Sequence, residues 1–140
     1  MIAAVEKGIR AKLAATAAIT AVVSTRIYST QPPLEAPLPY ILIFQSAGGS
    51  TNDTPRDEFD LVVTVKCVAV DDPVAGTSGA KVAKTTADLI RAALHEVDLT
   101  LDAPWTAYRC QNESVFNYVD NEDRQQYVHA GGTYRVRATG

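Results

Sequence analysis

Apolar residues recur along this chain with two different periods, and the switches between them mark its elements. Ile2, Val5, Ile9 and Leu13 are spaced by three and four, on one stripe of a helix whose other side carries Glu6, Lys7, Arg10 and Lys12. Thr16 is placed to cap a second short turn through Ala17 to Val23, after which Arg26-Ile27-Tyr28 reads as briefly extended. Pro32, Pro33, Pro37 and Pro39 then forbid a helix and favour an extended connector. Tyr40 to Gln45 is β-rich and almost wholly apolar, the pattern of a strand covered on both faces. Ser46 to Asp57 has no periodicity and is rich in Gly, Ser, Asn, Asp and Thr, which predicts a mobile loop.

Strict alternation returns from Glu58 to Val70, with Phe59, Leu61, Val63, Val65 and Cys67 on one side and Asp60, Thr64 and Lys66 on the other. Asp71-Asp72-Pro73 turns the chain, and Thr77 or Ser78 can cap a helix that ends near His95, its broad apolar face built on Val82, Thr86, Leu89, Ile90 and Ala93. After a short Leu99-Thr100-Leu101 piece, Trp105 to Tyr118 alternates again, with Tyr108, Cys110, Phe116 and Tyr118 on one side against Arg109, Gln111, Glu113 and Asn117. Asp120 to Asp123 reads as a hairpin turn, and Gln125 to Ala138 as a closing strand in which Gly131-Gly132 suggests a bulge. The expectation is a single α+β domain over 1–140, in the order α-β-β-α-β-β. Its four-stranded, mainly antiparallel sheet carries two helices on one face, with two hairpins and one crossover.

Composition removes more functions than it suggests. A chain of 140 residues with 46% hydrophobic positions can bury a core without disulfides or metal. Thirteen Lys and Arg against 16 Asp and Glu give a net charge of −3 with no basic block, a poor start for phosphate-backbone binding. Cys67 and Cys110 lie far apart without zinc or redox spacing, so they read as buried free thiols of a reducing compartment. Lys7, Arg10 and Lys12 before the apolar run Leu13 to Val23 mimic a signal peptide, but that run is mostly alanine and continues an amphipathic helix. No other stretch approaches the ~20 apolar residues of a membrane span.

Candidate chemistry is sparse. Gly48-Gly49-Ser50 lacks the lysine and following helix of a phosphate cradle, and Asp120, Glu122 and Asp123 lack the glycine and closing glutamate of a calcium loop. A hairpin turning at Asn121-Glu122 would set Ser114 opposite His129 as nucleophile and base, with no orienting acid or oxyanion hole in view. Cross-strand polar pairs of that kind are common in sheets without function. His95 suits the C-terminal end of its helix dipole. Two histidines and no clustered carboxylates leave little from which to build a metal site, and no cofactor is expected.

The order and spacing of several motifs resemble a known family. They are Ala15 to Val23 with Arg26-Ile27-Tyr28, the proline connector into Leu38-Pro39-Tyr40-Ile41, the strand Glu58 to Val70, the helix segment Ala87 to His95, Leu99-Thr100-Leu101, and the closing Tyr134-Arg135-Val136-Arg137. Together they look like the small tail-completion proteins of long-tailed bacteriophages, the tail terminator or tail-to-head joining family. The resemblance implies a non-enzymatic virion protein, assembled in the host cytoplasm and placed at the head-proximal end of the tail. It would form a ring of about six subunits that caps the tail tube, ends its polymerisation and meets a head-completion or connector protein, leaving the lumen open to DNA without reading its sequence. Another connector or a tail-tube component is the nearest alternative, and a small hydrolase using Ser114 and His129 the more distant one. The loop and the acidic turn supply the candidate partner contacts: Gly48, Gly49, Asn52, Asp53, Arg56, Asp57, Asn121, Glu122, Asp123 and Arg124.

Overall fold

Three helices and five strands follow one another as α1 (Ile2–Ala14), α2 (Ala17–Val23), β1 (Ile27–Ser29), β2 (Tyr40–Ser50), β3 (Glu58–Ala69), α3 (Gly79–Leu94), β4 (Thr106–Glu122) and β5 (Gln125–Thr139). The computed structural model describes residues 1–50, 58–122 and 124–140. Asn52, Asp53, Arg56, Asp57 and Asp123, and with them most of the expected mobile loop, lie outside the described residues.

The α+β class holds, but the sheet has five strands and the helices number three, against the four and two expected. Ala17–Val23 forms a true helix, and Thr16 does not cap it with its side chain; its hydroxyl instead donates backwards to the Lys12 carbonyl at 2.9 Å. Ile27–Ser29 becomes a strand because the proline connector brings the chain back alongside its own start, pairing Ile27 with Ile41 and Ser29 with Ile43 in parallel. The sheet order is β1-β2-β3-β5-β4, antiparallel everywhere except at that first pair. The two hairpins and the crossover through α3 are present as expected, and the connector between the parallel strands β1 and β2 adds a second crossover.

All three helices pack on one face. Val5, Ile9 and Leu13 of α1, Ile19 and Val23 of α2, and Ile90, Ala93 and Leu94 of α3 share a core with Ile41, Ile43, Leu61, Val63, Val65, Cys67, Tyr134 and Val136. Ile2, the first residue of the expected stripe, stays largely exposed. Ser78 caps α3 by accepting from the Lys81 amide at 3.4 Å. The opposite face of the sheet carries no helix, so Tyr40, Leu42 and Phe44 are half-buried and β2 is not the doubly covered strand its composition suggests.

Two departures share one cause, the loss of alternation at bulges. The expected loop from Ser46 begins later, because β2 resumes pairing after a bulge between Gln45 and Ala47 and continues to Ser50 opposite Phe59. Gly48 has φ 122°, and a Cβ there would strike the Asp60 carbonyl oxygen and lie 2.6 Å from the Leu61 Cα, so close strand approach rather than loop flexibility requires this glycine. Bulges between Ala107 and Arg109 and between Asn112 and Ser114 break the phase of β4, so Cys110 faces the core while Phe116 and Tyr118 share the open face with Lys66 and His129. Gly131-Gly132, expected to bulge, pairs in unbroken register with Lys66 and Val65.

Candidate partner surfaces

The β4–β5 hairpin turns two residues later than the sequence suggests: Glu122 pairs with Gln125, so Asp120, Asn121 and Glu122 are strand residues and Arg124, at φ 65°, belongs to the turn. This shift dissolves the Ser114/His129 arrangement. Ser114 pairs with Thr133, their hydroxyls 2.6 Å apart, and His129 pairs with Tyr118, their rings stacked at 4.5 Å. The two residues therefore stand about 13 Å apart along β5, at roughly 3.3 Å per residue. Burial pushes the His129 pKa down, the neighbouring Lys66 charge adds to this, and Asp120 opposes it.

His95 stands at the C-terminal end of α3 as expected, and its side chain is also held by a hydrogen bond. Its Nδ1 accepts the Asn112 amide at 3.0 Å, while the next amide, Glu96 N–H, donates to the Cys110 carbonyl at 2.8 Å. The end of α3 is thereby fastened to the outer edge of β4 at its bulged stretch.

The candidate contact residues that can be placed fall at opposite ends of the sheet. Gly48 and Gly49 pair with Leu61 and Asp60 near one end, in the rows of Val136 and Arg137. Asn121, Glu122 and Arg124 lie at the other end, about 35 Å away along β5 at roughly 3.3 Å per residue. The structure does not bring them together. At the hairpin end it adds two residues that the sequence reading missed: Leu34 in the proline connector and Val74 in the turn before α3 are 99% and 98% exposed. Apolar side chains flanked by Pro33 and Glu35, or following Pro73, were the available signal, since a turn that faces only water does not call for them. Beside Leu34 a cleft of about 460 Å³ is lined by Leu38, Tyr40, Val68, Glu122 and Tyr127.

At the Gly48–Gly49 end the open face carries a charged lattice. Arg135 reaches Asp60 at 2.8 Å and is bidentate to Glu113, and Arg137 lies 3.4 Å from Asp60. The Glu113 and Asp60 carboxylates hold the guanidinium of Arg135 above its ordinary pKa. Further along, Lys66 donates to the Tyr118 hydroxyl at 2.8 Å and lies over the rings of Phe44 and Tyr118. These groups satisfy one another, which fits an ordered surface better than a reaction centre. Among the described residues no three His, Cys, Asp or Glu side chains gather as metal ligands, and no helix is long and apolar enough to cross a membrane.

Both thiols are free and buried. Burial pushes Cys67 up to about 11, against a pull downward from the Thr86 hydroxyl, and Cys110 up to about 12. At neutral pH both remain protonated, so a thiol-disulfide reagent should label them only as fast as the protein unfolds; rapid labelling without denaturant would contradict that burial. Unfolded thiols ionise near 9 and folded ones only higher, so this contribution to stability is complete below pH 9 and is lost as pH rises towards 11 and 12.

Comparison with known proteins agrees with the sequence motifs. A search of curated proteins gives no match. Among solved structures, a chain from "Virion of native gene transfer agent (GTA) particle" is similar in fold, with a TM-score of 0.76 at 19% identity over 99% of this chain and 96% of that one. The family model described as "Tail completion protein gp17" matches residues 7–138, essentially the whole α-α-β-β-β-α-β-β unit, and the chain therefore belongs to that tail completion family.

Proposed function

We propose that this structural tail protein is a stopper: identical subunits, about six, form a ring that caps the tail tube, ends its growth and offers the joining surface for a head-completion or connector protein. Family membership supports the tail role. What supports the finer reading is the separation of the candidate contact residues on one sheet: Gly48 and Gly49 at one end, and the Glu122–Gln125 hairpin with Leu34 and Val74 at the other. A rigid subunit with contact regions at both ends can touch two partners at once without changing shape. Many weak identical contacts around a ring then add through multivalency. No catalytic step belongs to this role, and its place is the head-proximal end of the tail, reached by assembly in the host cytoplasm.

The test is an assembly reaction with tail-tube protein. The chain should bind tube ends, limit tube length and convert capped tails into ones that join heads. A double Leu34→Asp, Val74→Asp variant should keep its thermal midpoint within a few degrees while losing at least tenfold in one of the two docking steps. Unchanged tube length and normal joining in the absence of the protein would overturn the proposal, and long tubes built by the chain alone would make it a tube component.

A further inference from the structure

The proline connector holds a leucine out in water on a strained turn. The Ala36 amide donates to the Pro33 carbonyl at 3.2 Å, closing Pro33-Leu34-Glu35-Ala36 into a tight turn. Glu35, at the third position, has φ 57°, a left-handed conformation that such turns normally give to glycine. Leu34, at the second, is 99% exposed, and Pro32, Pro33 and Pro37 around it limit how far the turn can relax. A turn that only reversed the chain would carry glycine and a polar residue here, so the strain calls for a contact made by Leu34.

A hole suited to that side chain lies on the other face of the sheet. Between α2 and the first turns of α3, a cleft of about 390 Å³ is walled almost wholly by apolar atoms, with half-buried Val22 on the α2 side and half-buried Val82 on the α3 side. Lys81 and Thr85 line it from exposed positions. Both helices pack on the helical face, whereas the Leu34 turn shares a cleft with Tyr40 and His129 of the open face. One chain therefore cannot seat its own leucine. Charge favours the leucine of a second copy: Glu35 beside the leucine and Lys81 beside the cleft are opposite in sign, and neither forms an ion pair among the described residues. Val74, 98% exposed, stands two residues before Gly76 at the same cleft and would be covered by the same neighbour.

We infer that Leu34 of one copy seats in the α2–α3 cleft of the next, with its Glu35 against the Lys81 of that copy. The contact joins two different surfaces, so every added copy leaves one leucine and one cleft free, and the series is complete only where it closes into a ring. The inference rests on the ring reading above and supplies its subunit contact. The turn is already shaped, so little ordering cost opposes docking. Tube capping then depends on this contact through multivalency, which is how substitutions at Leu34 and Val74 reach the docking step.

Mixing two variants of the purified chain tests it. Leu34→Asp removes the leucine and Thr85→Arg blocks the cleft, both at exposed positions. In sedimentation equilibrium the unsubstituted chain should assemble past the dimer by about 500 µM, and each variant alone should assemble at least tenfold more weakly. Mixed in equal amounts, the two should form a dimer and nothing larger, because one intact leucine meets one intact cleft. In a Leu34→Asp, Thr85→Cys chain, the thiol at position 85 should be protected from a thiol reagent by the Thr85→Arg variant, while the native thiols are buried and stay out of the reaction. An unsubstituted chain that stays monomeric, a mixture that forms no dimer, or a thiol protected only by tail-tube protein would overturn the inference, each with the fold intact by circular dichroism. Rings from the unsubstituted chain beside a monomeric mixture would sink this contact and leave the ring reading standing; the mixed dimer without any capping of tubes would do the reverse.

Discussion

Replacing Tyr134 by alanine is expected to destabilise the protein by about 4 kcal/mol, the largest single effect of any core truncation here. Tyr134 is the largest of the fully buried side chains, 1% exposed, and it lies at the junction of β5, α3 and β4. Burial raises its phenol pKa, with Cys110 adding and Arg91 opposing. The strands on either side are held by backbone ladders and cannot collapse into the space that the ring leaves. Tyr134→Phe keeps the ring and should cost less than about 1.5 kcal/mol. Denaturant titration of both variants measures the difference; similar midpoints for the two would show that the ring is not what fills this part of the core.

A methyl group at Gly131 is expected to cost about 3 kcal/mol, a fall in midpoint of roughly 10 °C. A Cβ at that position would overlap the Val65 carbonyl oxygen and come within 2.6 Å of the Lys66 Cα, both on a backbone that cannot move without breaking the β3–β5 ladder. Gly49, near the end of β2, has nothing within 4 Å of the corresponding position. Gly49→Ala should therefore change stability by less than about 0.5 kcal/mol. Comparable melting of the two variants would mean that β3 and β5 separate more easily than their continuous register indicates.

Much of the architecture was legible because it rests on short-range periodicity. The alternation of Phe59 to Cys67 identified β3 and its buried side, the three-and-four spacing of Val5, Ile9 and Leu13 located α1, and the Thr77-Ser78 pair, of which Ser78 is the cap, placed the start of α3 to within a residue. Burying a stripe is a property of one element and its sequence, so these assignments needed no knowledge of neighbours. The order and spacing of the same segments also carried the family likeness, which the match over 7–138 bears out.

What the chain's neighbours decide was not legible. Whether Gly48 and Gly131 are flexible points or places where two backbones nearly touch depends on which strand passes beside them, and a glycine's sequence context does not record that. The bulges at Gln45/Ala47 and Asn112/Ser114 are set by pairing partners distant in sequence; each resets the alternation, which hid the end of β2 and the true facing of Phe116 and Tyr118. The later hairpin turn moved Ser114 and His129 four rows apart, so a register error of two residues in the turn created an apparent catalytic pair. Local spacing thus determined which segments are helix or strand and which of their faces are apolar. Only tertiary pairing decided where two ends of a sheet lie, which edge is left unpaired, and which exposed side chains stand together, because those depend on contacts between residues far apart in the chain.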